Sequence, residues 1–360
     1  MRILIVGPIV SPIIRRLKYH LIESGYDVIV ASHNADNIDG VIDLGKLKSF
    51  FGYFNFFKIN KIVKQYQPDV VHAHVLNHYG LMCIAQSKPL VVALWGSDVM
   101  LAANRGGVLK RLFYKTINML VLMRADRLHT SALHVAKEAS NQFQKSADKV
   151  DVFYWGFPLK KPDMLNIRKV EDLMEAEFGL VGNRYIVFPR GLGEVYNPCM
   201  VAKIICKILQ AGISNRIVVL KGFANNIDVK RFSEMIDMSK IIFINRLLDE
   251  NELYYLYKNS SIHISIPISD SLGGGVIEPA LLGSYPVLSN LPSYRAYLKN
   301  NSGYLLEDYT DRSLDKFLVD ICENNHCKAD RAVPPKQYDL QCIMKRINDT
   351  YHAAIAKKIK

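Results

Sequence analysis

The chain has 360 residues, 49% of them hydrophobic and 22% charged, with 46 Lys and Arg against 34 Asp and Glu. That composition excludes a disordered or low-complexity protein, and the length exceeds what one hydrophobic core usually spans, so two domains are expected. The net charge of +12 is uneven: residues 1–160 hold 20 Lys and Arg and 11 Asp and Glu, leaving 26 and 23 for the rest, so the basic excess sits in the first half.

In chain order, "MRILIVGPIVSPIIRR" opens with a basic residue and an apolar run, but Gly7, Pro8, Ser11 and Pro12 interrupt it. It reads as a buried first strand rather than a signal peptide. The strands "RILIVG", "YDVIVAS", "PDVVHAH", "PLVVAL", "ADRLHTS" and "VDVFYW" alternate with helical patterns such as "IIRRLKYHLIESG", "NFFKINKIVKQY", "GVLKRLFYKTINMLVLM" and "ALHVAKEASNQF". "GFPLKKPDMLNIRK" has the prolines and charge of a linker. Beyond it the alternation resumes with "RYIVFPR", "RIVVLKG", "KIIFIN", "SIHISIP", "SYPVLSN" and "SGYLLED", and the chain closes on one long helix. The fold class is therefore α/β, with two Rossmann-like doubly wound domains facing across a cleft. Their expected bounds are 1–158 and 159–339, with the helix of about 340–360 packing back on the first domain.

The six cysteines form no C-x-x-C pair, and His326 beside Cys327 lacks a second ligand pair, so no metal is implied. A reduced, cytoplasmic setting is expected, and the sequons at Asn259 and Asn348 are then silent. No apolar run reaches the length of a membrane span. The basic first half raises nucleic-acid binding as a rival, yet no recognised nucleic-acid motif accompanies the charge, so no nucleic acid is expected.

"SIHISIP" puts residues 268–275 at the carboxyl end of a strand, where ligands of open α/β sheets bind. There "SDSLGGGVIEPALLG" sets Gly273, Gly274 and Gly275 between Asp270 and Glu278, ahead of a helix expected over Val276–Gly283. On its own the triplet fits either a flexible turn with a glycine N-cap or a backbone cradle for a diphosphate. Glu278, placed in the first turn, has only Gly275 three residues before it, so no capping box forms and its carboxylate is available to vicinal hydroxyls. Asp270 fits either an Asx turn or an acceptor of sugar hydroxyl protons.

The acid, seven residues and glutamate of "DSLGGGVIE", followed by "PALLGSYPVLSNLPSYRAYLKNNSGYLL", resemble the C-terminal signature of retaining glycosyltransferases of family 4, which have the GT-B fold. "PDVVHAHVLNHYG", "KPLVVALWGSDVM", "ADRLHTSALHVAKEA" and "PRGLGEVYNP" extend the resemblance over nearly the whole chain. Asp270 stands where a glutamate is commoner, and Tyr196 where the family often has a lysine.

The resemblance implies a hexosyltransferase that uses a nucleotide diphosphate sugar of the UDP or GDP type, with no cofactor and no metal. Arg190 matches the family's diphosphate-binding arginine, and Lys221 is expected to supply the charge that Tyr196 lacks. Glu278 would hold the nucleotide ribose, Asp270 the sugar hydroxyls, and the turn with Gly7 and Ser11 would face the donor phosphates. Trp95, Asp98, His74 and His78 would line or orient the acceptor. No D-x-D triplet occurs, so leaving-group stabilisation falls to Arg190, Lys221 and the glycine-rich helix end. A GT-B epimerase or phosphorylase is the rival enzyme.

Finally, residues 44–64 interleave Phe50, Phe51, Tyr53, Phe54, Phe56 and Phe57 with Lys46, Lys48, Lys58, Lys61 and Lys64. Six aromatics within eight residues exceed what one helix stripe buries. With Arg15, Arg16, Lys18, Lys110, Arg111 and Lys115 in the same domain, they suit an anionic bilayer surface. The expectation is a peripheral protein on the inner face of the plasma membrane, acting on a lipid-linked glycan in bacterial surface polysaccharide assembly.

Overall fold

The computed structural model describes residues 1–360 except 36–37, 102–103, 105, 181–184, 214–215, 324–335 and 360, so His326 and Cys327 lie outside the described residues. The chain divides into two compact units, Met1–Phe157 with Lys336–Lys360, and Pro158–Pro335.

Among the described residues the first unit holds seven parallel strands: β1 (Arg2–Val6), β2 (Asp27–Ser32), β3 (Val41–Asp43), β4 (Val70–His74), β5 (Leu90–Ala93), β6 (Arg127–Thr130) and β7 (Val150–Val152). They lie in the order β3-β2-β1-β4-β5-β6-β7. Ile3 pairs with Val28 on one side and Val70 on the other. The central strands are nearly continuous Val, Ile, Leu and Ala because helices cover both faces. The order reverses direction between β1 and β4, which opens a crevice at their carboxyl ends. The Leu340–Ile359 helix belongs to this unit. Its buried Ile343, Ile347, Tyr351 and Ala354 recur at helical spacing, and Thr350 Oγ1 donates to Asp151 at 3.1 Å.

The second unit repeats the plan with six described strands: β8 (Tyr185–Phe188), β9 (Ile217–Leu220), β10 (Ile242–Ile244), β11 (Ser260–Ser265), β12 (Tyr285–Ser289) and β13 (Tyr304–Leu306). All are parallel, in the order β10-β9-β8-β11-β12-β13, and the reversal lies between β8 and β11. Ile262, Ile264 and Ile266 alternate into the core with Ile186, Phe188 and Val219.

Two expectations need correction here. A helix, Met164–Phe178, begins inside the segment read as a linker, because the Asp163 side chain caps it by accepting from Asn166 N at 2.8 Å. That helix buries only Val170 and Met174, so its apolar period is too sparse to stand out in the sequence. The helix after the glycines runs Gly274–Leu281 rather than Val276–Gly283, which moves Glu278 out of the first turn.

Candidate active site

The second unit's reversal point brings together residues far apart in sequence. Arg190 follows β8 and Asp270 follows β11, and their side chains meet: Arg190 Nη2 donates to Asp270 Oδ1 at 3.0 Å, with the side chains 17% and 8% exposed. The second carboxylate oxygen of Asp270 accepts from Gly273 N at 3.1 Å and from Tyr294 Oη at 2.7 Å. Ser293 Oγ donates to its backbone carbonyl at 2.9 Å. Burial works against the charge on Arg190, but Asp270, with Tyr196, Tyr294 and Tyr257 behind it, raises its pKa, so the guanidinium stays protonated. Its face lies 4.9 Å from the centre of the Tyr196 ring.

Arg190 explains two of the glycines. A Cβ on Gly273 would collide with Arg190 Nη1, and one on Gly275 would sit 2.7 Å from Arg190 Cδ. A Cβ on Gly274 would come within 2.5 Å of Glu278 Oε1. The triplet is therefore where an arginine and a glutamate lie directly against backbone. The turn carries a second mark of constraint, since Leu272 has φ 71, a left-handed conformation that a branched side chain rarely takes.

Around that turn, donors remain open. Among the described residues one of the five guanidinium N–H groups of Arg190 is used, and its Nε is buried with no partner. Gly273 caps the Gly274–Leu281 helix, whose first amides have no carbonyl one turn behind them. Lys221, just past β9, packs its carbonyl within 2.8 Å of where a Gly191 Cβ would be. Its carbonyl also accepts from Leu192 N at 3.2 Å, which sets Lys221 beside the loop that carries Arg190. Two cations and a set of bare amides at the carboxyl ends of three neighbouring strands are suited to a dianion.

In the first unit, Gly7 ends β1 so close to β4 that a Cβ there would stand 3.0 Å from that of His74. Ser11 takes the N-cap position of the Pro12–Glu23 helix without a side-chain capping bond. Past β4, Val75 has φ 75 and opens a wide turn of π-helical pitch over Val75–Tyr79. The Asp98 carboxylate holds this turn to the loop after β5. Its Oδ2 accepts from Leu76 N at 2.9 Å and Trp95 N at 3.3 Å, and its Oδ1 from Val99 N at 3.0 Å. Burial raises the pKa of Asp98, while those amides oppose the shift. An open pocket of about 310 Å³ lies beside this knot, lined by Asn77, His78, Ser97, Asp98, Lys110 and Tyr114 among others. Burial lowers the pKa of His78 to about 4, so the ring is neutral at physiological pH.

Residues 2–132 match the family model described as "Glycosyl transferase 4-like". The chain carries a glycosyl transferase 4-like domain. Solved structures agree in fold along both chains. Sucrose-phosphate synthase from Thermosynechococcus elongatus superposes with a TM-score of 0.76 at 12% identity, covering 99% of each chain. Anabaena HepE, solved with UDP and glucose, gives 0.73 at 13% identity over 98% of this chain and 100% of that one. The catalytic domain of starch synthase IV from Arabidopsis thaliana, bound to ADP and acarbose, gives 0.70 at 9% identity over 99% of each. No curated protein matches the chain in sequence. The fold is GT-B, and domain and fold together are those of a glycosyltransferase.

In this GT-B glycosyltransferase the structure gathers Arg190, Asp270, Gly273, Gly274, Gly275 and Glu278 into one cluster, with Lys221 on the adjoining loop. Three protein donors hold the Asp270 carboxylate, so in this structure it positions Arg190 and the glycine turn. The Asp98 carboxylate is held by backbone amides and lines the first unit's pocket. His74 is 0% exposed, its ring packed behind Gly7 and 5.4 Å from that of Trp155, so it is closed off from solvent in this structure. His78 lines the pocket, and Trp95 is half-buried beside it with its amide on Asp98. Sequence reasoning missed Tyr294, Tyr196 as a cover for Arg190, and Lys110 and Tyr114 as pocket walls. Only Tyr294 had a signal, in the small helix of "NLPSYRAYL" that follows β12.

Proposed function

We propose that the protein is a retaining, metal-independent glycosyltransferase that moves a hexose-type unit from a nucleotide diphosphate sugar to an acceptor hydroxyl. The observation that carries the donor assignment is the buried Arg190 guanidinium, charged and with unused donors, set against bare helix-end amides. As the sugar leaves, negative charge grows on the diphosphate oxygen, and fixed donors in a site shielded from water are what lower that barrier. Lys221 adds a second cation to the leaving group. Glu278, lying against Gly274, accepts from the ribose hydroxyls. Asp270 keeps Arg190 in place and contributes to sugar recognition through the turn it organises.

Transfer with retention follows from front-side attack. The acceptor oxygen bonds to the anomeric carbon on the face from which the phosphate departs, the bond from that carbon to the phosphate oxygen breaks, and the departing oxygen takes the acceptor proton. No side-chain base is required. The absence of a D-x-D triplet from the sequence, the charged Arg190 at the site and Lys221 on the adjoining loop support a leaving group neutralised by protein. UDP and glucose in the HepE structure favour a uridine donor, with GDP as the other member of the class. The acceptor is a lipid-linked glycan of surface polysaccharide assembly, taken up by the first unit's pocket on the cytoplasmic side of the membrane.

A thermal-shift series with UDP-, GDP- and ADP-sugars tests the donor class, since a ligand at 100 times its dissociation constant stabilises by about 2.7 kcal/mol. Stabilisation by one nucleotide series is expected. Absence of any shift, or turnover of donor alone to an epimer, refutes the reading.

A further inference from the structure

The Val108–Arg124 helix is apolar on two opposite sides. Its inner stripe, Ile117, Val121 and Leu122, is buried in the first unit's core. Its outer stripe is Leu109, Leu112, Phe113, Leu120 and Met123, which recur at offsets of three, four, eleven and fourteen from Leu109 and are all exposed, Leu109 at 84% and Leu112 at 61%. A helix of a soluble domain normally turns a polar face to water, and single exposed apolar residues need no account, but a continuous stripe does.

The stripe does not end with the helix. Phe113 lies 6.5 Å, centroid to centroid, from Phe54, and Phe54 lies 6.2 Å from Phe51, so the stripe continues into the 3-10 turn Phe50–Phe54. Phe57, at the start of the next helix, is 85% exposed. Tyr53, by contrast, turns inward and is buried, and Phe56 packs on the core. The aromatic run expected to face a membrane is thus split: part is core, and Phe51, Phe54 and Phe57 join a helix some fifty residues later. The side chain of Phe50 lies outside the described ones.

Charge selects the occupant. No Asp or Glu occurs in residues 44–68 or in residues 99–125, the two stretches that build this face. Lys110 and Lys115 flank the outer stripe on the helix, Arg111 is exposed in its first turn, and Lys46, Lys48, Lys61 and Lys64 flank the aromatic turn. Apolar groups projecting from two stretches without acid match an anionic headgroup layer over an acyl interior, whereas a face buried between protein copies would not gain from like charge. Among the described residues no helix is long and apolar enough to cross a membrane, so the contact is interfacial.

We propose that the outer stripe of the Val108–Arg124 helix, together with Phe51, Phe54 and Phe57, is the surface by which the first unit docks onto an anionic lipid bilayer. The pocket that Lys110 and Tyr114 line from this same helix would thereby open near the headgroups, where a lipid-linked acceptor presents its sugar. This deepens the acceptor half of the proposed function and leaves the donor half untouched.

The test is co-sedimentation of the full chain with vesicles of phosphatidylglycerol and phosphatidylcholine, and with phosphatidylcholine alone. Binding is expected only to the anionic vesicles and should weaken with salt. Leu109→Ser with Leu112→Ser should weaken it about tenfold, through lost apolar insertion. Arg111→Glu with Lys115→Glu should weaken it on the order of 30-fold. Thermal shift with UDP, on the same samples, keeps the two readings apart: it should be unchanged in every variant. Wild type that ignores anionic vesicles at low salt, or variants that bind as wild type does, overturns the docking surface even if UDP binds. Sedimentation velocity without lipid covers the remaining occupant. A concentration-dependent dimer lost in Leu109→Ser/Leu112→Ser, with no vesicle binding, would assign the face to a second copy and overturn the proposal.

Discussion

Acidification should unfold the first unit before the second. His72, His74 and His129 are each buried in the first unit's sheet, and burial lowers all three pKa values, His129 to about 3. His74 is lowered further by His129, and His72 by both neighbours. The rings crowd: those of His72 and His74 are 4.2 Å apart, and His72 Nε2 faces His129 Nε2 at 2.8 Å, where only one nitrogen can carry a proton. Tyr351 Oη, from the C-terminal helix, is 2.8 Å from His72 Nδ1, and neither ring nitrogen of His74 has a partner among the described residues. Among the described residues no carboxylate hydrogen-bonds any of the three. A folded pKa below the unfolded value of about 6.5 means that the unfolded chain binds the extra protons, so stability is complete above about pH 6.5 and falls as pH drops. At about pH 5 each imidazole costs about 2 kcal/mol, and the three together with His78, lowered to about 4, cost about 8 kcal/mol, against a total stability of about 5–15 kcal/mol for a domain. In the second unit His263 is the one fully buried histidine among the described residues, lowered to about 3, and its cost is about 2 kcal/mol. Hydrogen exchange read segment against segment at a single pH removes the intrinsic pH effect. At about pH 5, protection of β4 and β6 relative to β8 and β11 should fall by roughly 6 kcal/mol from its value at about pH 7.5. Equal losses in the two units, or greater loss in the second, would refute the reasoning. His74→Phe, which removes one proton-binding site, should return about a third of the difference.

Other expectations concern the site. Arg190→Ala should cut transfer by a factor on the order of 100 or more while the circular dichroism spectrum stays that of wild type, and full turnover in that variant would remove Arg190 from the mechanism. Gly275→Ala places a Cβ 2.7 Å from Arg190 Cδ, so it should displace the guanidinium and lower transfer at a stability cost of about 1–3 kcal/mol; wild-type kinetics would show that the turn yields instead. For Glu278→Gln, calorimetry with the nucleoside diphosphate should read a loss of roughly 1–2 kcal/mol, whereas unchanged affinity would leave Glu278 as packing against Gly274. Activity should persist in EDTA, and its loss on chelation with recovery on adding a divalent cation would end the metal-independent mechanism.

The alternation of apolar runs with helical patterns was enough to predict two doubly wound sheets, because strands buried on both faces must be apolar throughout and the helices that cover them must be amphipathic. The acid, the glycines and the glutamate around residues 270–278 were visible for a similar reason, since a turn at a strand's carboxyl end has few ways to approach an anion. What the glycines are for was decided only in three dimensions. Arg190 lies 80 residues before Asp270, and pairing β8 with β11 is what brings its guanidinium against Gly273 and Gly275. The same pairing turns Asp270 from a free acceptor into the partner of Arg190 and Tyr294. His74 and Asp98 had the polarity of binding groups in the sequence, but burial is a property of the packed sheet, and it took one ring behind Gly7 and drew the other carboxylate onto backbone amides. The aromatic run at residues 50–57 divided for the same reason: composition counts aromatics, whereas packing of Tyr53 against His33, His78 and Tyr79, and of Phe56 on the core, determined which ones were left facing solvent.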